Sequence, residues 1–208
     1  MRSSRTPLIR RTALTVTAVT AAVTLAACGN DDGGSSSGHE GHGSSASASS
    51  TGDHNKQDVS FAQGMIPHHQ QALEMAELAA GRAKSAQVKD LAARIEKAQD
   101  PEIRTMSGWL KAWGEDVPSA MPGMDHSAGS GMTGMMDAKD MTALAKASGT
   151  DFDTMFLTMM IEHHKGAVEM AESEKSKGSY DPATTLADGI VTTQTAEIKE
   201  MNQLLGKG

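Results

Sequence analysis

The segment from Met65 to Glu77, MIPHHQQALEMAE, recurs from Met160 to Glu172 as MIEHHKGAVEMAE, an offset of 95 residues. The same offset, without a gap, aligns Asp58 with Asp153 and Phe61 with Phe156. It continues through Leu91/Leu186, Ile95/Ile190, Gln99/Gln194, Glu102/Glu197, Ile103/Ile198, Met106/Met201 and Leu110/Leu205. A chain that repeats itself over this length is built from one structural unit used twice, packed so that each copy covers the apolar face of the other. Each copy reads as a helical hairpin. Its first helix carries His-His and its second carries Glu-x-x-x-Met.

Composition agrees with helices. Aromatic residues make up only 3% of the chain, and sheets favour aromatic and β-branched side chains. Ala, Met, Leu, Glu, Lys and Gln, all good helix formers, fill the repeats. The pattern predicts helices over about 58–83, 85–113 and 151–177, with Asp151 as a plausible N-cap of the third. A fourth starts near Asp181, with Pro182 in its first turn, and ends before Gly206. A short helix fits 137–147. Pro67 and Pro101 predict irregularities inside the first two helices. The predicted fold class is all-α. It is a four-helix bundle of two repeated hairpins, 58–113 and 150–205, joined by a long crossover at 114–149.

The first 27 residues read as an export signal rather than as fold. Arg2, Arg5, Arg10 and Arg11 precede an apolar stretch from Ala13 to Ala27, which is short and Thr-rich for a membrane span. The stretch ends in Leu25-Ala26-Ala27-Cys28, which looks like a bacterial lipoprotein cleavage box with Cys28 as the lipidated residue. Arg10-Arg11 leaves a twin-arginine route open. The expected location is outside the cytoplasmic membrane, on a lipid anchor. Cys28 is the one cysteine, so an intrachain disulfide framework and a Cys-rich zinc site are excluded. Residues 28–57 read as a Gly/Ser linker containing His39, His42 and His54. The net charge is −7, and cleavage before Cys28 would remove four arginines and no acid. This acidic balance removes the electrostatic case for a nucleic-acid partner.

On a helical wheel at about 100° per residue, the apolar face of the first helix is centred near Met65, with His68 and His69 on its two flanks. Glu74 falls opposite and faces solvent, as does its counterpart Glu169. On the second helix, Glu102 lies about 20° from Leu91, inside the apolar stripe, and Glu197 repeats it. A carboxylate in such a stripe must be paired or bound to metal. The expected interior therefore collects His68, His69, His163, His164, Glu102, Glu197 and the methionines Met65, Met160, Met106 and Met201. Met65 stands one turn before the first His pair and Met160 one turn before the second. Thioether with imidazole suits Cu(I), a soft ion. Glu-x-x-His, the di-iron signature, is absent, as is His-Glu-x-x-His. Iron and zinc stay open as alternative metals, and the two glutamates keep open a non-haem di-metal oxidase. A structural bundle whose His–Glu pairs only fasten the helices is a third reading. No nucleophile motif or phosphate loop nominates another enzyme. The crossover holds Met121, Met124 and His126, with Met132, Met135 and Met136, among Gly and Ser. Helical packing does not explain methionines there, so soft-metal capture and plugging of a groove are both open.

The paired MI-x-HH-x-x-A-x-x-MAE blocks, the Glu-Ile-x-x-Met segments, the MPGM loop and the FLTMMIEHHKGAVEMAE run resemble the domain of unknown function 305 family, of the ferritin-like superfamily. The resemblance spans about 58–205. It implies a four-helix fold of two hairpins in secreted or lipid-anchored bacterial proteins. It also implies a functional role for the His-His motifs and, in some relatives, copper binding through Met and His in copper tolerance. Pro67 stands where the second repeat has Glu162, so the halves need not bind equally. The resulting expectation is a lipid-anchored, extracytoplasmic Cu(I)-binding protein without catalytic residues. The sequence leaves open its oligomeric state and any metallochaperone partner.

Overall fold

The computed structural model describes residues 53–119 and 133–207. The expected signal, Cys28, most of the linker, and Met121, Met124 and His126 lie outside the described residues. The described residues form five helices: α1 Lys56–Arg82, α2 Ala86–Trp113, α3 Ala138–Lys146, α4 Gly149–Lys177 and α5 Asp181–Leu204. The all-helical bundle follows the sequence expectation. No described helix is long and apolar enough to cross a membrane.

Local chemistry sets the helix ends. Asn55 caps α1 by accepting from the Gln57 and Asp58 amides, and the Asp58 carboxylate accepts the Asn55 amide in return. Ser85 caps α2 and Asp137 caps α3. α4 differs from expectation. It begins two residues before Asp151, at Gly149, after Ser148, so Asp151 sits in the first turn where its charge suits the helix dipole. α1 and α2 continue through Pro67 and Pro101.

The hairpins α1/α2 and α4/α5 meet along α1 and α4. α1 and α4 run antiparallel, which divides the apolar interior in two. One core joins Ala72, Met75, Leu91, Ile95, Phe152, Phe156, Met160 and Met201, with Leu144 of α3 added. The other joins Phe61, Met65, Ile66, Met106, Leu110, Ala167, Ala171 and Ile190. The four histidines of the repeat occupy the waist between these cores.

A second device fastens the hairpins, and it obeys the repeat. The Asp153 carboxylate of α4 accepts the Lys84 and Ser85 amides, both at 3.0 Å, in the α1–α2 turn. Its counterpart Asp58 of α1 accepts the Ser179 and Tyr180 amides and the Ser179 hydroxyl in the α4–α5 turn. Each hairpin thus supplies the acid that satisfies the orphan amides at the other hairpin's turn.

Candidate metal centre

His68 and His69 are neighbours in sequence but leave α1 about 100° apart, so they reach different partners. His69 Nε2 lies 2.7 Å from Glu102 Oε2 of α2. The second repeat copies this: His164 Nε2 lies 2.7 Å from Glu197 Oε2 of α5. His68 and His163 instead meet each other across the α1–α4 seam, with ring centroids 3.8 Å apart and planes inclined at 39°. All four imidazoles are buried.

The two His–Glu pairs fix ring orientation. With glutamate ionised and imidazole neutral, Nε2 carries the proton and donates, which leaves the Nδ1 lone pair free. Neither His69 Nδ1 nor His164 Nδ1 has a hydrogen-bond partner. This is the carboxylate–histidine arrangement that orients metal ligands elsewhere. The structure therefore assigns Glu102 and Glu197 a different place from the expected one. They lie at the edge of the interior, with side chains 23% and 13% exposed, and each is committed to a histidine. The sequence placed them inside the apolar stripe and required a partner; the partner is there, and the bundle leaves each side chain partly exposed.

The central pair is unusual in its lack of partners. Nδ1 and Nε2 of both His68 and His163 are buried without a hydrogen bond. Burial is the main reason that the His68 pKa falls to about 3, with help from neighbouring His69 and His164 and some opposition from the nearby Thr133 carbonyl. Burial likewise holds His163 well below the usual histidine value, followed by repulsion from His68, His164 and His69. Both rings are thus neutral at physiological pH, the state in which imidazole offers a lone pair. Orphaned buried polar atoms are costly, and six imidazole nitrogens at one level of a bundle need an explanation. Gln99 and Gln194, one turn before the glutamates, add two more buried orphans at their Oε1 atoms. The repeat aligns these glutamines, and their spacing alone suggests no role for them. Their repeat pairing, together with a polar residue one turn from Glu102 or Glu197, was the available signal.

Met65 and Met106 are fully buried in one core, and Met160 and Met201 in the other. The thioethers thus flank the histidine layer from opposite sides. Met75 is also fully buried, while Met170 and Met155 are only partly so, as packing residues. Among the described residues, no three His, Cys, Asp or Glu side chains converge into a group that could hold a metal ion. A soft ion with a low coordination number asks for less: two imidazoles, or imidazole with thioether.

The fold and this site define a class: a twofold-repeated helical bundle with a buried, partnerless histidine pair at its waist. The family described as "Domain of unknown function (DUF305)" matches residues 58–205, and the chain belongs to it. Among solved structures, a DUF305 protein of Streptomyces coelicolor is 34% identical, with TM-score 0.65, covering 73% of this chain and 93% of that one. A DUF305 fragment from Deinococcus radiodurans is 30% identical, with TM-score 0.66, covering 76% of this chain and 100% of that one. CopM in its Cu(I)-bound form is 36% identical, with TM-score 0.59, covering 71% and 94%. CopM is also solved with Cu(II) and with Ag bound. No curated protein matches.

Proposed function

We propose that this protein binds and sequesters Cu(I) outside the cytoplasm, tethered through Cys28, as part of copper tolerance or handling. The observation that carries the reading is the His68–His163 pair, whose four ring nitrogens are buried, neutral and without partners. A purely structural histidine would be expected to have its hydrogen bonds satisfied. The buried thioethers of Met65, Met106, Met160 and Met201 give a soft environment on both sides. Copper- and silver-bound CopM, similar over most of its length, supports the same metal class. In this role the protein forms coordination bonds to the ion and catalyses no covalent change. His69 and His164, held by their glutamates, stand ready as further ligands.

The test is a Cu(I) competition titration of the full chain against a chromogenic chelator. Binding that outcompetes the chelator in wild type and is lost in a His68→Leu/His163→Leu variant supports the proposal. Binding no tighter than a weak chelator, or binding unchanged in that variant, overturns it. The anchor is tested separately by membrane fractionation: Cys28→Ser should move the protein from the membrane to the soluble extracytoplasmic fraction.

A further inference from the structure

The return end of the crossover, residues 133–136, lies on the histidine pair, and two residues at one position of the repeat hold it there. Gln71 is three residues after His68, and its counterpart Gly166 is three residues after His163. Here a large amide in one copy faces a glycine in the other. Gln71 is buried, and its carboxamide makes a two-way clasp with the backbone of one crossover residue, Met136. Its Nε2 donates to the Met136 carbonyl at 2.8 Å, and its Oε1 accepts the Met136 amide at 2.7 Å. On the other side, a Cβ at Gly166 would fall 1.9 Å from the Thr133 carbonyl oxygen. Gly134, at φ +85, lies against the same turn of α4, where a Cβ would meet the carbonyls of Glu162 and His163 at 2.7 and 3.0 Å. Backbone contact this close is available only to glycine. The Thr133 carbonyl is also near the His68 ring.

We infer that Gln71 and Gly166 are positioning residues that seat residues 133–136 on the His68–His163 pair, so that opening of this seat brings the pair to solvent. Described helices surround the pair on other sides. α1 and α4 carry the pair, the two apolar cores lie to either side, and Glu102 and Glu197 take the neighbouring rings. The asymmetry of the repeat thereby gains a purpose. A single crossover approaching a pseudo-twofold pair needs a grip from one copy and clearance from the other. As a route for metal exchange, the seat rests on the copper reading; as control of access to two imidazoles, it does not.

The experiment reads access without metal. Full-length wild type, Gln71→Met and Gly166→Ala are treated with diethyl pyrocarbonate, and ethoxycarbonylation is followed at each histidine by mass spectrometry, with half-buried His54 as reference. Gln71→Met keeps the volume and loses both hydrogen bonds. Gly166→Ala favours the helix and displaces Thr133. In parallel, hydrogen exchange is followed at the Met136 amide. Both variants should raise the reactivity of His68 and His163, Gln71→Met by on the order of tenfold, the effect of losing two hydrogen bonds on an opening equilibrium. Met136 exchange should rise with it. Unchanged histidine reactivity alongside faster Met136 exchange overturns the inference, as does unchanged exchange in Gln71→Met. Cu(I) release to a chelator, measured on the same proteins, separates the two readings. If wild type binds no Cu(I), the copper proposal fails while the access result stands. If it binds and release does not accelerate in variants with exposed histidines, the seat is not the exchange route.

Discussion

Glu174 offers a sharp test of how this fold handles buried charge. It is fully buried on α4, where its carboxyl faces the Asp58 carboxylate and the Gln57 side chain. Its nearest charged neighbour is Asp58, itself buried at the α4–α5 turn. Burial first, then the hydrogen bond shared with Asp58 and repulsion from it, push Glu174 up to about 8 from 4.5. Burial alone would raise Asp58 too, but bonds from Glu174, Asn55, Tyr180 and Ser179 outweigh it and hold that carboxyl below its usual value. Glu174 therefore keeps its proton and donates it to Asp58. The sign follows from linkage. A folded pKa above the unfolded one means that the native state binds the extra proton, so Glu174's contribution is complete below about pH 4.5 and is lost as pH rises to about 8. At about 1.4 kcal/mol per pH unit the loss is at most about 5 kcal/mol, and solvent near this helix end reduces it to about 2–4 kcal/mol. Glu174→Gln retains a donor to Asp58 that cannot ionise. Urea unfolding at pH 5, 6.5 and 8.5, without metal, should show the variant gaining about 2–4 kcal/mol over wild type across this range. His68 contributes an opposite trend, since a folded pKa of about 3 adds stability as pH rises toward 6.5. The difference between variant and wild type, in which that trend cancels, is thus the quantity to read. A difference that stays constant with pH, or shrinks toward pH 8.5, refutes the assignment of a shared proton.

Other consequences can be checked in the same preparations. Replacing His68 and His163 together by leucine removes four orphaned nitrogens, so the metal-free protein should unfold at higher temperature, by about 1–4 kcal/mol in stability; a loss of the size of a core truncation would contradict that. Asp153→Ala strips the acceptor from the Lys84 and Ser85 amides and should cost about 1–2 kcal/mol in urea unfolding, with Asp58→Ala costing more because it serves the Asn55, Ser179 and Tyr180 amides. Glu102→Gln and Glu197→Gln should keep the fold, since both side chains are partly exposed, and weaken Cu(I) by about 10- to 100-fold each through loss of ring orientation. Competition titration measures this, and an affinity unmoved in both variants would mean that His69 and His164 are not ligands.

The repeat made much of this legible before any coordinates. An ungapped offset fixes two copies of one hairpin, and an apolar period fixes which face of each helix is buried. His68, His69, His163 and His164 fell on the edges of that face, and all four are buried. What the wheel could not show was that adjacent histidines divide their roles. His69 and His164 turn outward to glutamates of their own hairpins, while His68 and His163 find each other across the seam. Intra-hairpin pairing is a short-range matter that spacing can suggest. A contact between two hairpins depends on how α1 crosses α4, which no single helix encodes. The same limit explains Glu102 and Glu197, which the stripe put in the interior and the bundle put at its rim. It also explains Glu174, whose counterpart Ala79 is an ordinary small core residue.

The amino-acid sequence alone determined the unit, its duplication and the polar inventory of the buried faces, because helical period and repeat offset are local properties of the chain. The tertiary structure decided which polar groups would be satisfied. It gave Asp58 and Asp153 the turns of the opposite hairpins, gave Gln71 the backbone of Met136, and left the four ring nitrogens of the His68–His163 pair without a hydrogen bond. Hydrogen-bond satisfaction is a property of the assembled interior, where desolvation is complete and every partner must come from another element. The unsatisfied pair at the waist, rather than the motif that announces it, is the feature that points to a metal.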